Sequence, residues 1–247
     1  MGTCYSDRQY TSTRAGRAAA CRACPFAFDC LPGALEDEEL ADLAEVVEHA
    51  PPAHAGTHLF RQGEEFRYIA VIRLGTVKTY SVDRDGREHT LGFHMPGDMI
   101  GLDAINDDRH PCSAIALDTV MLCRLPFTVV AGLAARAPML QHKLFRLMSR
   151  DIARAAQLSG NYAAEERLAA FLVGMADRLA ARGFSNARCQ LAMSRMEIAS
   201  YLHLAPETLS RLLRRFQAEG LLAVEGRDVE LRERARLQAM ASPLLQC

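Results

Sequence analysis

Apolar residues recur with different periods in different parts of this 247-residue chain, and those periods predict its elements. Residues 36–49, EDEELADLAEVVEH, set Leu40, Leu43, Val46 and Val47 at helical spacing. Acids gather at the start of this run, where the helix dipole favours them, and Pro51-Pro52 ends it. From 56 to 126 the texture changes to short β-rich runs, Thr57–Phe60, Ile69–Arg73 and Thr76–Val82, punctuated by Gly63, Gly75, Gly86 and Gly97. Asp83-Arg84-Asp85-Gly86 and Pro96-Gly97-Asp98 read as turns. Short, evenly spaced strands without interleaved helices predict a small antiparallel barrel or jelly roll.

Pro138 suits the first turn of a long helix reaching about Tyr162. It carries two apolar stripes. Leu140, Leu144 and Leu147 form one; Met148, Ile152, Ala155, Ser159 and Tyr162 form the other, with Phe145 beside its start. The second stripe has the 4-3-4-3 spacing that paired helices use. Both stripes could be internal core, but one helix cannot easily bury both against a single small barrel. The second is therefore assigned to pairing with a second copy. Residues 165–183 predict another helix, closed by Gly183.

The segment 193–222 has a denser code. Ser194 and Glu197 have the spacing of a capping box, opening a short helix with Ile198, Ala199 and Leu202. His203–Ala205 connect it to a second helix, which Pro206 starts and Gly220 follows. Two short helices joined this way predict a helix-turn-helix, and small Ala199 lets them cross closely. On the second helix Leu209, Leu212, Leu213 and Phe216 face inward, while Glu207, Ser210, Arg211 and Arg214 share the opposite face. Arginine can pair bidentately with guanine, glutamate can accept from cytosine, and serine can serve either. The alternative is a solvated face on an ordinary helical hairpin. LLAVEGRDVEL after Gly220 reads as strand, turn and strand, the wing of a winged helix.

Composition narrows the chemistry. The net charge of −1 rules out a bulk polycation, so nucleic-acid contact needs a local patch. From residue 165 onward twelve arginines and no lysine stand against ten acids, and Arg211, Arg214 and Arg215 cluster on the proposed second helix. No apolar run is long enough for a membrane span, and the first 20 residues lack the apolar core of a secretory signal. Those 20 residues, small, polar and basic, are expected to be poorly ordered. No H-E-x-x-H, G-x-S-x-G or phosphate-binding loop suggests an enzyme. His89 and His94 read as barrel residues. Eight cysteines, three of them in CRACPFAFDC at Cys21, Cys24 and Cys30, point to metal or redox use in a reducing compartment. Cys4, Cys112, Cys189 and Cys247 read as spare thiols, with Cys4 a possible substitute ligand.

These features together resemble the CRP–FNR superfamily of bacterial transcription regulators. The motif ETLSRLLRRF at Glu207–Phe216, the barrel and the long helix carry the likeness. The C-x2-C-x5-C ahead of the barrel, with EERLAAF at Glu165–Phe171, is similar to the oxygen-sensing FNR branch. The resemblance implies an α+β fold: a double-stranded β-helix, or jelly roll, of cyclic-nucleotide-binding type, a dimerisation helix and a C-terminal winged helix-turn-helix. It implies segments 1–35 (cysteine cluster), 36–137 (β-roll), 138–163 (dimerisation helix) and 164–247 (DNA-binding domain). It further implies a [4Fe–4S] cluster on Cys21, Cys24, Cys30 and a barrel cysteine. The context MLCRLPF assigns that role to Cys123, with Cys112 in HPCS as the rival.

On the same resemblance the cluster favours a cytoplasmic homodimer, with Met148, Ile152, Ala155 and Ser159 on its seam. The dimer reads double-stranded DNA of TTGAT-N4-ATCAA type through Glu207, Ser210 and Arg211, with Arg214 beside them. It controls genes of anaerobic or microaerobic metabolism and touches RNA polymerase, in relatives through the face that carries the Asp83–Gly86 hairpin. No cyclic nucleotide is expected, because Arg109 and Ser113 in RHPCSA are not adjacent as a phosphate-binding Arg-Ser pair would be. Four departures stand out: Asp29 before Cys30, Pro25 after Cys24, Ala155 where relatives often carry an acid, and His203 where glycine is common. Loss of the acid at 155 is expected to favour the dimer and weaken the oxygen response. A cyclic-nucleotide regulator on the same fold, and a zinc or thiol-redox module, are the competing readings.

Overall fold

The computed structural model describes residues 13–27 and 30–245. It divides into two compact units, one of residues 1–79 and 93–149, the other of 80–92 and 150–247.

In the first unit α1 spans Arg14–Arg22, which corrects the expected disorder of the first 20 residues as far as they are described. Three consecutive alanines among arginines form a strong intrinsic helix, and Thr13 Oγ1 caps it by accepting from Gly16 N–H at 3.2 Å. Arg17 and Arg22 tie α1 to α2 (Asp37–Val46): one donates to the Glu45 carbonyl at 3.4 Å, the other pairs with Asp37. Helix α2 begins where expected but stops at Val46. The next residues, Glu48–His49, form strand β1 instead, because a sheet edge offers their backbone partners.

The roll follows with β2 (His58–Phe60), β3 (Tyr68–Leu74), β4 (Val77–Val82), β5 (Glu88–His94), β6 (Met99–Ile100), β7 (Ser113–Ala116) and β8 (Met121–Pro126). They make two four-stranded sheets ordered β1-β8-β3-β6 and β2-β7-β4-β5. Helices α3 (Phe127–Ala134) and α4 (Pro138–Ser159) complete the series, so α4 ends before the expected Tyr162.

Strands β3, β6 and β8 pack on both faces of their sheet. Ala70, Ile72, Ile100 and Leu122 pack with Leu59, Phe60, Val77 and Ala114 of the other sheet. Ile69, Val71, Met99 and Leu125 pack instead with Leu40, Leu43, Val130, Leu133, Leu140 and Leu147 of the helices. Gly75 closes the β3–β4 turn at φ +82°, and a Cβ there would collide with Thr119 O and Asp118 Oδ1.

In the second unit α5 (Ala164–Ala180), β9 (Arg188–Gln190), α6 (Arg195–Tyr201), α7 (Pro206–Ala218), β10 (Leu222–Glu225), β11 (Asp228–Leu231) and α8 (Arg234–Leu245) build a winged helix-turn-helix. Its three-stranded sheet is ordered β10-β11-β9. The core comprises Leu168, Leu172, Ile198, Ala199, Leu202, Leu209, Leu213 and Phe216, all buried. No helix of the described residues is long and apolar enough to cross a membrane.

Candidate cluster site and DNA-reading helix

The N-terminal thiols sit on a compact path rather than a loose tail. Cys21 lies in the last turn of α1, and the Cys24 amide donates to its carbonyl at 3.3 Å. Ala27 N–H returns to Cys24 O at 2.9 Å, and Cys30 N–H to Phe26 O at 2.8 Å. Asp29, the departure noted beside Cys30, lies outside the described residues, as do Cys4 and Cys247.

Strand parity sets which way Cys123 faces. Leu122 points to the inner core with the second sheet, so Cys123 points to the opposite face. There it packs in the same apolar cluster as Cys21 and Cys30. Cys112 belongs to the inner core, 1% exposed, and its thiol donates to Asp103 Oδ2 at 3.2 Å. Burial and the Asp103 carboxylate both push that thiol up.

The four thiols lie within each other's electric fields. Burial, then Cys24, raises the Cys21 thiol, while Arg73 pulls it down. Burial raises Cys30 to about 12, opposed by the Leu31 amide, with Cys123, Cys24 and Cys21 adding to it. Burial also raises Cys123 to about 12, where Arg73 opposes and Cys21 and Cys24 add. Cys21, Cys30 and Cys123 thus resist ionising, and thiols in such a setting become thiolate most readily on a cation. Among the described residues, no three His, Cys, Asp or Glu side chains are gathered closely enough for a single metal ion.

Of the proposed pairing seam, Met148 is half-buried against the helical core, whereas Ile152 is 69% exposed and Ala155 is exposed. Phe145 beside it is 59% exposed. The side chain of Ser159 is outside the described residues. Leu140 and Leu147 of the first stripe are buried internally, and Leu144 packs partly against the same core.

In the helix-turn-helix the capping box forms as the spacing predicts: Ser194 Oγ accepts from Glu197 N–H at 3.2 Å, and Glu197 Oε2 accepts from Ser194 N–H at 2.7 Å. His203 takes the turn at φ +52°, left-handed and without glycine. Arg167 steadies that turn by donating to Leu202 O at 2.8 Å. On α7, Glu207, Arg211 and Arg214 are exposed and Ser210 is half-exposed. Arg211 Nη2 reaches Thr208 Oγ1 at 3.3 Å. Arg215 is turned away from this group into an ion pair with Glu165 at 2.8 Å, so it braces α7 against α5. Sequence reasoning grouped it with the DNA-facing arginines; the distant Glu165 was the missing information.

Residues 52–137 match the family described as cyclic nucleotide-binding domain, and residues 166–240 the Crp-like helix-turn-helix domain. The chain is 41% identical over 231 residues to the transcriptional activator protein anr of Pseudomonas aeruginosa, covering 92% of this chain and 95% of the relative. It is 39% identical over 229 residues to the fumarate and nitrate reduction regulatory protein of Vibrio cholerae, covering 92% of each. Its fold is similar to that of FixK2 from Bradyrhizobium japonicum, with TM-score 0.72 and 28% identity over 79% of this chain and 97% of that one.

Proposed function

The chain belongs to the CRP–FNR family of DNA-binding transcription regulators, and from that premise we propose that it is an oxygen-responsive member holding a [4Fe–4S] cluster. Cys21, Cys24, Cys30 and Cys123 are the ligands. When bound, the cluster supplies an oxygen-labile tie between the N-terminal segment and the roll. The observation that carries this reading is that Cys123 packs in one apolar cluster with Cys21 and Cys30, while Cys112 is buried in the separate core between the two sheets.

The chain's own residues do the rest. The exposed face of α4 around Phe145, Ile152 and Ala155, with Met148 and Ser159 in line, pairs with a second copy. The homodimer presents two copies of α7 to a palindrome of TTGAT-N4-ATCAA type, about 34 Å apart. Glu207, Ser210 and Arg211 read base edges, Arg214 takes phosphate, and Arg215 holds the helix to α5. The partners are double-stranded DNA and RNA polymerase, without a cyclic nucleotide or a membrane. The regulated genes serve anaerobic or microaerobic metabolism, in the cytoplasm.

The deciding experiment is duplex binding by anaerobically reconstituted protein, measured before and after air. Tight binding that weakens as visible absorption bleaches supports the reading. Unchanged affinity after loss of the cluster rejects the switch. A colourless protein carrying stoichiometric zinc rejects the cluster.

A further inference from the structure

Strand β1 is two residues long, and its register sets His49 directly across from Cys123. Directly opposed residues of an antiparallel pair place their side chains on one face, with Cβ atoms about 5 Å apart. The His49 Nδ1 stands 3.5 Å from Cys123 Sγ. A second group reaches the same nitrogen: Arg73 Nη1 lies 3.4 Å from it.

Arg73 arrives there through an irregularity in β3. Ile72 pairs with Leu122 and Leu74 with Met121, which leaves Arg73 as the extra residue of a bulge. Bulges re-aim a side chain out of the strand's alternation.

We infer that His49 and Arg73 are positioning residues for the barrel ligand: the imidazole hydrogen-bonds the Cys123 sulfur, and the guanidinium, within reach of the same imidazole nitrogen, orients that ring and sets a positive charge beside the site. With Cys123 as a thiol, Nδ1 can accept from S–H or from the arginine, which only donates. With Cys123 as a thiolate, the tautomer carrying Nδ1–H donates to sulfur. A hydrogen bond to a ligating sulfur and a nearby positive charge would each stabilise the reduced, more negative state of a bound cluster and so raise its potential. Outer partners of this kind orient the ligands and set the potential of the group they hold. β1 itself is exposed, so its side chains can be changed without opening the core.

The inference rests on the cluster reading, and its test separates the two. Full-length protein and the variants His49→Leu, His49→Gln, Arg73→Met and Arg73→Lys are reconstituted anaerobically with iron and sulfide. Two quantities are read: the midpoint potential, and the rate at which visible absorption is lost to an iron chelator under argon. His49→Leu and Arg73→Met are expected to lose absorption about 10- to 100-fold faster, the range for loss of such outer partners, and to show a lower potential. Gln keeps an N–H donor and Lys keeps the charge, so each should recover part of the loss. Leu and Met variants with the native rate and potential overturn the assignment of His49 and Arg73 while leaving the cluster in place. Native protein that takes up no iron and sulfide overturns the cluster reading itself, before any variant is compared.

Discussion

Arg211→Ala separates base reading from general affinity. The side chain is exposed, and its described bond is to Thr208 on its own helix, so its removal should change stability by no more than about 0.5 kcal/mol. The inward face of α7, with Leu209 and Phe216 fully buried, holds the helix in place without it. A bidentate arginine–guanine pair contributes about 1–3 kcal/mol of discrimination. A two-fold dimer presents it twice, so about 2–6 kcal/mol is at stake, or roughly 25-fold to 20,000-fold at about 1.4 kcal/mol per tenfold. The assay is anaerobic fluorescence anisotropy on TTGAT-N4-ATCAA and on a duplex whose two G·C pairs are replaced by A·T. Native protein should prefer the first, and Arg211→Ala should bind both alike. Arg214→Ala should instead keep the preference, weaken both, and lower the salt slope by about 2 for the dimer, one phosphate per half-site. An Arg211→Ala protein that weakens on both duplexes but keeps the native preference would refute the base-reading role.

Four further outcomes are expected. Cys123→Ser should abolish cluster uptake in an iron and sulfide assay, whereas Cys112→Ser, keeping a donor to Asp103, should retain it; the reverse result would move the fourth ligand. His203→Gly should raise stability by about 0.5–1 kcal/mol in a urea titration, because a left-handed non-glycine residue costs about 1–2 kcal/mol and glycine's greater freedom when unfolded takes back part of that; an unchanged midpoint would mean that His203 carries no strain. Gly75→Ala should destabilise by more than about 1 kcal/mol, since its φ and the close Thr119 carbonyl both exclude a Cβ; native stability would show that the turn can shift. The Arg215 hydrogen bond holds the Glu165 carboxyl below the usual range, so this pair adds stability at neutral pH and loses it as pH falls through the ordinary glutamate value of about 4.3 and below. Both side chains are more than two-fifths exposed, which limits the effect to about 0–1 kcal/mol; Glu165→Gln should flatten that part of the acid titration and leave neutral stability slightly lower.

The helix-turn-helix was legible almost residue by residue because its signals are local. A capping box, a proline at the first helical position and a glycine after the last each act within a few residues, and all three occur where predicted. The roll was legible as a class and less so as a list of strands. β6 is two residues long and owes its existence to pairing with β3, a distant partner that no local pattern announces. The same holds for β1, whose residues follow α2 so closely that the helical period ran over them. Helix α1 was misread for the opposite reason. Its small and basic composition was taken for a tail, although three alanines and a threonine cap are sufficient local cause for a helix.

The choice between Cys112 and Cys123 was the part least available to local reasoning, and strand alternation accounts for the side on which Cys123 packs. Along a strand, side chains alternate between faces, so a shift of one position exchanges the inner core for the helical layer. Val71 is the register partner of Cys123, and both lie on the face that meets the helices. That face packs Cys21, Cys30 and Cys123 together with Leu144, Leu147 and Met148 of α4 in one continuous apolar cluster. Close-packed clusters rearrange between discrete arrangements rather than deforming gradually. A change in how the thiols are held therefore has a contiguous packed route to the first half of α4, just ahead of its exposed Ile152. Membership in that shared cluster is a packed connection between the N-terminal thiols and α4 that spacing alone could not supply.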